Sequence, residues 1–196
     1  CTHDVLRQIH NKMESLLGKG GAYVDRIYYC PHHPDKGYEG EIAELKIDCD
    51  CRKPNIGMVE RACEELNIDV KNSWIVGDTT VDVLTGDRAG LRSILVETGY
   101  AGLDGRHGVV PDFIVPDLRA AASFILEDFP KLMKLCGSEA KQIDEGEFVF
   151  IGGLSRSGKT NFANCLRYWL HSNGKRAVVL NIDKWLRDEV NRGEGV

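Results

Sequence analysis

Between residues 73 and 126, short apolar runs alternate with helical stretches, and this alternation limits the fold more than any other feature of the chain. Residues 73–76 (SWIV) are too short for a helix and end on Gly77-Asp78, which reads as a buried strand and its turn. Residues 81–89 read as a helix closed by Gly90. Residues 93–96 and 113–115 read as two more strands, and residues 118–126 as a further helix. Strands separated by helices cannot pair as hairpins, so the pattern predicts parallel βαβ units in an open α/β sheet.

The flanking segments are less regular. Val5, Leu6, Ile9, Met13, Leu16 and Leu17 recur at three and four, predicting an amphipathic helix over 5–17 that glycines 18 to 21 stop. Residues 24–29 (VDRIYY) read as a short strand, residues 30–54 as a Pro/Gly/Cys-rich excursion, and residues 58–66 as a helix. Residues 130–147 show no clear period and read as a linker. A new βαβ is expected from Phe148: strand FVFI, a helix over about 159–172, Gly174 as its stop, then strand AVVLNI. The expected division is residues 1–128, a linker over 129–146, and residues 147–196.

Composition removes several function classes. The 196 residues carry 25 Lys+Arg against 30 Asp+Glu, a formal net charge of -5, with no basic block to grip nucleic acid. No apolar run approaches the ~20 residues that span a bilayer, and no signal peptide opens the chain, so no membrane partner is expected. Seven cysteines are an odd number, and three crowd into residues 30–51, which argues against a disulfide framework. A reducing, cytoplasmic setting and a metal site are expected instead.

The crowded cysteines form two close pairs, Cys30-Pro-His32 and Cys49-Asp-Cys51, separated by sixteen residues. In extended backbone, side chains two apart point the same way, so each pair can grip one ion. Three thiolates and one imidazole suit tetrahedral Zn²⁺, and four protein ligands leave no open position, which describes a structural site. His33 competes with His32 for the fourth place, and the two-residue spacing favours His32. Arg52-Lys53-Pro54 follows directly. Gly77-Asp78-x-x-x-Asp82 follows a buried strand, where open α/β sheets bind ligands. Asp78 there can hold a hard cation such as Mg²⁺, and Lys53 can neutralise a phosphoryl group. An aspartate after a strand also serves as a helix N-cap.

Taken together, CPHHPD, CDCRKPNIGM, WIVGDTTVDVLTGDRAG and PDFIVPDL resemble the haloacid dehalogenase (HAD) superfamily over about residues 3–128. Within it they are most similar to the heptose 1,7-bisphosphate 7-phosphatase and histidinol-phosphate phosphatase group. The resemblance implies a Mg²⁺-dependent phosphatase acting on a sugar-phosphate substrate. It implies zinc on Cys30, His32, Cys49 and Cys51, substrate contact by Arg52, and a phosphoryl-facing Lys53. Asp78 would be the Mg²⁺ ligand, and Asp82 would support Lys53 and the metal shell. Thr79 stands where close relatives often carry lysine. The family's nucleophile sits in a D-x-D motif after a first strand, with a Ser/Thr motif after a second. The one D-x-D here, Asp48-Cys49-Asp50, lies inside the cysteine loop. The chain is therefore expected to begin past both motifs and to lack phosphatase turnover by itself.

Gly153-Leu-Ser-Arg-Ser-Gly158-Lys159-Thr160 fits G-x-x-x-x-G-K-[ST], the phosphate-cradling loop of nucleotide-binding proteins. Gly153, Ser155, Ser157 and Gly158 would shape the cradle, Lys159 would reach the β/γ-phosphates, and Thr160 would ligate Mg²⁺. FIGGLSRSGKTNFANCL with KRAVVLNIDKWL resembles the uridine kinase, phosphoribulokinase and adenylylsulfate kinase group. That resemblance implies ATP or a related nucleotide as partner, and Asp183 as general base or Mg²⁺ organiser. Asp183 also fits an N-cap for the residues after it. The reading is of a fragment of a bifunctional sugar-phosphate enzyme, phosphatase joined to a small-molecule kinase and cut within the kinase domain. Two rivals stand beside it: a kinase with a zinc-stabilised, non-catalytic HAD scaffold, and a non-enzymatic zinc-ordered interaction module.

Overall fold

The computed structural model describes residues 2–37, 39–140, 143–144, 146–154 and 158–180. The chain divides into two compact units, Cys1–Ile68 and Asp69–Val196.

The first unit holds two helices and a long loop. Helix α1, His3–Lys19, is capped by the Thr2 side chain, which accepts from the Val5 N–H, and Lys19 in its last turn complements the helix dipole. Helix α2, Gly57–Leu66, ends on Asn67 in the left-handed conformation. Residues 24–29, expected as a strand, pair with no other strand among the described residues. Their aromatic side chains bond sideways instead: Tyr28 donates to Glu65 Oε2 at 2.8 Å, and the Tyr29 hydroxyl lies 3.3 Å from His3 Nδ1. A β-favouring sequence without a partner ladder stays irregular. Cys51 is the only buried residue among the described residues 2–68.

The second unit is built on a parallel sheet in the order β1-β2-β3, with β1 Trp74–Gly77, β2 Arg92–Val96 and β3 Phe113–Val115. The expected α/β class with parallel pairing is what the sheet shows. Residues 93–96 of β2 are all buried, as a central parallel strand covered on both faces should be. Helix α3, Thr80–Ala89, links β1 to β2, and Gly90 closes it at φ +73. Gly86 lets α3 lie close to the sheet: an added Cβ would stand 2.4 Å from the Ile75 side chain.

After β3, helix α4, Leu118–Ser123, starts from Asp117, whose side chain accepts from the Ala120 N–H. It runs through a π-helical stretch, Phe124–Asp128, into α5, Phe129–Glu139. Residues 130–139 are thus helical where a linker was expected. Pro130 sits in the first turn, where its missing N–H is harmless, and Phe129, Cys136 and Ala140 are buried in the core. Helix α6, Lys159–Ser172, matches its expected span, and its buried residues Cys165, Leu166 and Leu170 join the same core as Ile94, Val96 and Phe113. The expected strands around it are absent among the described residues. Residues 148–151 and 177–180 are irregular, with Phe148 83% and Phe150 86% exposed. Apolar runs that find no neighbouring strand have no ladder to enter.

Aromatic packing fixes the middle of this core. Phe113 is surrounded by Phe124 at 4.7 Å, Trp74 at 5.7 Å, Phe129 at 6.0 Å and Tyr168 at 6.3 Å between ring centroids. The Arg92 guanidinium lies over Phe129 at 4.8 Å and over Trp74 and Tyr168 at 5.3 and 5.4 Å. Burial lowers the Arg92 pKa and raises that of the Tyr168 hydroxyl. No helix among the described residues is long and apolar enough to cross a membrane.

Candidate functional site

The first unit brings Cys30, His32, Cys49 and Cys51 together, with their ligand atoms all within 4.8 Å of one another. The sulfur of Cys51 lies 3.2 Å from Cys30 and 3.3 Å from Cys49, and Cys30 lies 3.4 Å from Cys49. His32 Nδ1 stands 3.5 Å from Cys51 and 3.9 Å from Cys30. Zn–S bonds of about 2.3 Å separate tetrahedral sulfurs by about 3.8 Å, so a few tenths of an ångström of spreading would admit the ion. All three cysteines are free thiols. His33 faces elsewhere: its Nδ1 accepts from the Asp35 N–H and lies 3.6 Å from the Asp35 carboxylate. The geometry therefore groups His32, not His33, with the thiols.

The thiols perturb one another. Burial disfavours the Cys49 thiolate, but hydrogen bonds from Cys51, Cys30 and His32 outweigh it and bring its pKa down to about 7. Burial pushes Cys51 up to about 12, aided by Cys30 and Cys49. Crowded sulfurs cannot all ionise without a cation between them.

The loop around the cluster is laced by its own backbone. His33 N–H donates to the Leu45 carbonyl at 2.9 Å, and Lys46 Nζ donates to the Asp35 carbonyl at 2.8 Å while pairing with Glu41 at 3.3 Å. Asn55 Nδ2 donates to the Cys49 carbonyl, and Arg52 donates from a terminal guanidinium nitrogen to the His32 carbonyl at 3.0 Å. Arg52 and Lys53 thus sit in the turn that leaves the cluster, and Arg52 is tied to one of its members.

In the second unit, Asp78 stands directly after β1, half-buried. Its Oδ2 accepts from the Tyr100 N–H at 2.9 Å, and its carbonyl accepts from the Gly102 N–H at 2.8 Å. Its Oδ1 has no hydrogen-bond partner among the described residues. Asp82 is buried and forms a capping box with Thr79: its Oδ2 accepts from Thr79 Oγ1 at 2.6 Å and from the Thr79 N–H at 3.2 Å. Gly77 is required beside it, since a Cβ there would lie 2.4 Å from the Asp82 side chain. Asp82 therefore fixes the first turn of α3 behind Asp78.

Sequence reasoning passed over Asp104. Its two carboxylate oxygens accept from the Thr80 N–H and Thr80 Oγ1, both at 2.7 Å. Burial works against this carboxylate, but the Thr80 bonds prevail and hold it below the usual range. The available signal was glycine density, since Gly99, Gly102, Gly105 and Gly108 mark a tightly turned segment beside a strand end.

Of the glycine-rich loop, Gly153, Gly158, Lys159 and Thr160 are described, and Ser155, Ser157 and Asp183 lie outside the described residues. Gly158 caps α6 at φ +80, a left-handed conformation that suits glycine. Lys159 Nζ donates to the Leu154 carbonyl at 2.5 Å, folding back over its own loop.

With this geometry in hand, comparison with known proteins points one way. The HAD-hydrolase-like family matches residues 50–121. A D-glycero-beta-D-manno-heptose-1,7-bisphosphate 7-phosphatase of Pasteurella multocida is 38% identical over 137 residues, covering 68% of this chain and 65% of that protein. A D-glycero-alpha-D-manno-heptose-1,7-bisphosphate 7-phosphatase of Photorhabdus laumondii is 46% identical over 86 residues, 43% of this chain and 44% of that protein. The crystal structure of a D,D-heptose 1,7-bisphosphate phosphatase from B. bronchiseptica, complexed with magnesium and phosphate, is similar at a TM-score of 0.54 and 32% identity. That match covers 64% of this chain and 65% of the other. The chain thus spans less than two thirds of the length of each of these relatives. Its residues 50–121 are similar to the HAD-hydrolase-like family, and its α/β fold is built on a parallel sheet.

Proposed function

We propose that this chain supplies the metal-binding half of a Mg²⁺-dependent phosphatase for a sugar bisphosphate of the heptose 1,7-bisphosphate type. The observation that carries the reading is Asp78, a half-buried carboxylate at the carboxyl end of the parallel strand β1, with one oxygen held by the Tyr100 amide. The names of the similar phosphatases, and the magnesium and phosphate in the similar crystal structure, support it. Mg²⁺, when bound, offsets phosphoryl charge. In this reading Asp78 ligates the cation, Asp82 keeps the turn behind it rigid, Lys53 meets phosphoryl charge and Arg52 contacts the substrate. Cys30, His32, Cys49 and Cys51 hold a structural Zn²⁺ that orders the loop leading to Arg52.

A phosphoaspartyl mechanism needs an aspartate nucleophile. The one D-x-D of this sequence lies within the cysteine loop. Residues 1–196 alone are therefore proposed to release no phosphate from a heptose bisphosphate, and measurable Mg²⁺-dependent release would overturn that. Fused behind a D-x-D-bearing first strand, the chain is expected to turn over, and Asp78→Asn is expected to lower kcat/KM by at least about 100-fold. Turnover unaffected by Asp78→Asn would remove the assignment of Asp78.

For the glycine-rich loop we propose ATP binding, as part of a P-loop small-molecule kinase. Its support is the spacing from Gly153 to Thr160, together with the left-handed Gly158 at the start of a fourteen-residue helix. Ser155 and Ser157 would line the cradle, Thr160 would ligate Mg²⁺ and Asp183 would face the acceptor. ATP titrated into the chain with Mg²⁺ is expected to bind and to free Lys159 from the Leu154 carbonyl. Lys159→Ala should weaken that binding by at least about tenfold, and equal affinity in the two proteins would refute the loop assignment.

A further inference from the structure

The turn that wraps Asp78 is itself held from a distance. Gly99 sits at φ +68, so close that a Cβ there would lie 2.2 Å from Asp78 Oδ2. Only glycine lets the chain pass this near, and the pass delivers the Tyr100 N–H to that oxygen at 2.9 Å. A carboxylate with one oxygen held by a rigid amide keeps its rotamer, and its other oxygen stays in one place. What keeps the amide there is the next stretch of the loop. Asp104 grips Thr80, two residues after Asp78, with both carboxylate oxygens at 2.7 Å. Thr80 Oγ1 also accepts from the His107 N–H at 3.2 Å, tying the far side of the loop to the same residue. The Asp78 carbonyl closes the ring by accepting from Gly102 at 2.8 Å.

We propose that Asp104 is a positioning residue for the cation site: through Thr80 it locks the 99–104 turn whose Tyr100 amide orients the Asp78 carboxylate. The inference rests on the Mg²⁺ role of Asp78. It adds that affinity for the cation depends on a residue that does not touch it. The side chain of Tyr100 is 64% exposed and Leu103 is 86% exposed, so burial of apolar surface does not hold this turn. Its order comes from the Asp104 bonds, the two bonds to Asp78 and one bond of its own, the Leu103 N–H donating to the Tyr100 carbonyl at 2.8 Å.

The test uses the whole chain, Mn²⁺ as probe and amide exchange as a metal-free readout. In Asp104→Ala the Tyr100 and Gly102 amides are expected to exchange about tenfold faster, with the amides of residues 94–96 unchanged. Mn²⁺ affinity, read from line broadening at residues 78–80 and 99–100, is expected to fall by about threefold or more. Thr80→Val, which keeps the backbone donor and removes the hydroxyl, should give a smaller loss of the same kind, and Thr80→Ser should restore both readouts. This pair carries the test if Asp104→Ala does not fold. Unchanged Tyr100 exchange overturns the proposal. Faster exchange with unchanged Mn²⁺ affinity also overturns it, because the clamp would then serve the fold alone. No Mn²⁺ binding in the unsubstituted chain overturns the reading of Asp78 itself, and the positioning role falls with it, whatever the exchange rates show.

Discussion

The purified chain is expected to hold about one zinc ion, and removing it should unfold residues 30–51 while the parallel sheet stays folded. The asymmetry follows from where each unit buries its side chains. Among the described residues 2–68 only Cys51 is buried, so this unit has almost no apolar core to offset the entropy of ordering a 22-residue loop. Structural zinc in small domains contributes about 10–16 kcal/mol of apparent binding free energy at neutral pH, far more than the loop's hydrogen bonds can. The second unit has its own core around Phe113 and holds none of the four ligand residues. A chelator should therefore split unfolding into two steps, violating two-state behaviour. Cys51→Ser should lower bound zinc at least about tenfold and speed amide exchange across residues 30–55. Cys63→Ser is the control, since that thiol lies outside the cluster. A metal-free chain with residues 30–51 still protected from exchange would exclude the zinc reading.

The cluster was readable because its ligands come in pairs two residues apart, and short spacing fixes direction. The same spacing favoured His32 over His33, since one residue of register reverses where a side chain points, and the structure groups His32 with the thiols. The three sheet strands were legible for a similar reason. Each is a short apolar run bounded by turn residues, with a helix between β1 and β2 that forbids a hairpin. Residues 24–29 and 148–151 carry the same local signal and form no strand among the described residues, because a strand exists only in its pairing. Helix α5 was hidden by composition. Lysines interleave with Leu132, Met133 and Leu135, so its period is blurred, and its buried contacts come from Phe129, Cys136 and Ala140 at its ends and centre. Asp104 was out of reach for another reason. Its partner Thr80 is 24 residues away, and a single sequence shows no trace of a bond formed by a loop folding back.

Helix α6 follows the glycine-rich loop, yet its buried face belongs to the sheet, and Leu170→Ala should reveal this. Leu170 is 6% exposed and shares one core with Ile94, Val96 and Phe113. The helix is also pinned by polar contacts to the residue just before β3. Arg167 pairs with Asp112 Oδ1 at 2.5 Å, Asn164 donates to the Asp112 carbonyl, and Asp112 Oδ2 accepts from the Ser93 N–H at 2.8 Å. Truncating a buried leucine costs about 2–5 kcal/mol, and truncating a phenylalanine as enclosed as Phe113 about 3–5 kcal/mol. Both Leu170→Ala and Phe113→Ala should therefore lower the denaturant midpoint at which residues 94–96 lose amide protection. Lys159→Ala, at the start of the same helix and not among its buried residues, should leave the stability read from that midpoint within about 0.5 kcal/mol of its original value. If Phe113→Ala shifts the midpoint and Leu170→Ala does not, α6 folds apart from the sheet, as a helix owned by a separate nucleotide domain would. If both shift it, one helix closes the core around Phe113 with its buried face and carries the glycine-rich loop at its N-terminus, and deleting residues 159–172 would expose that core.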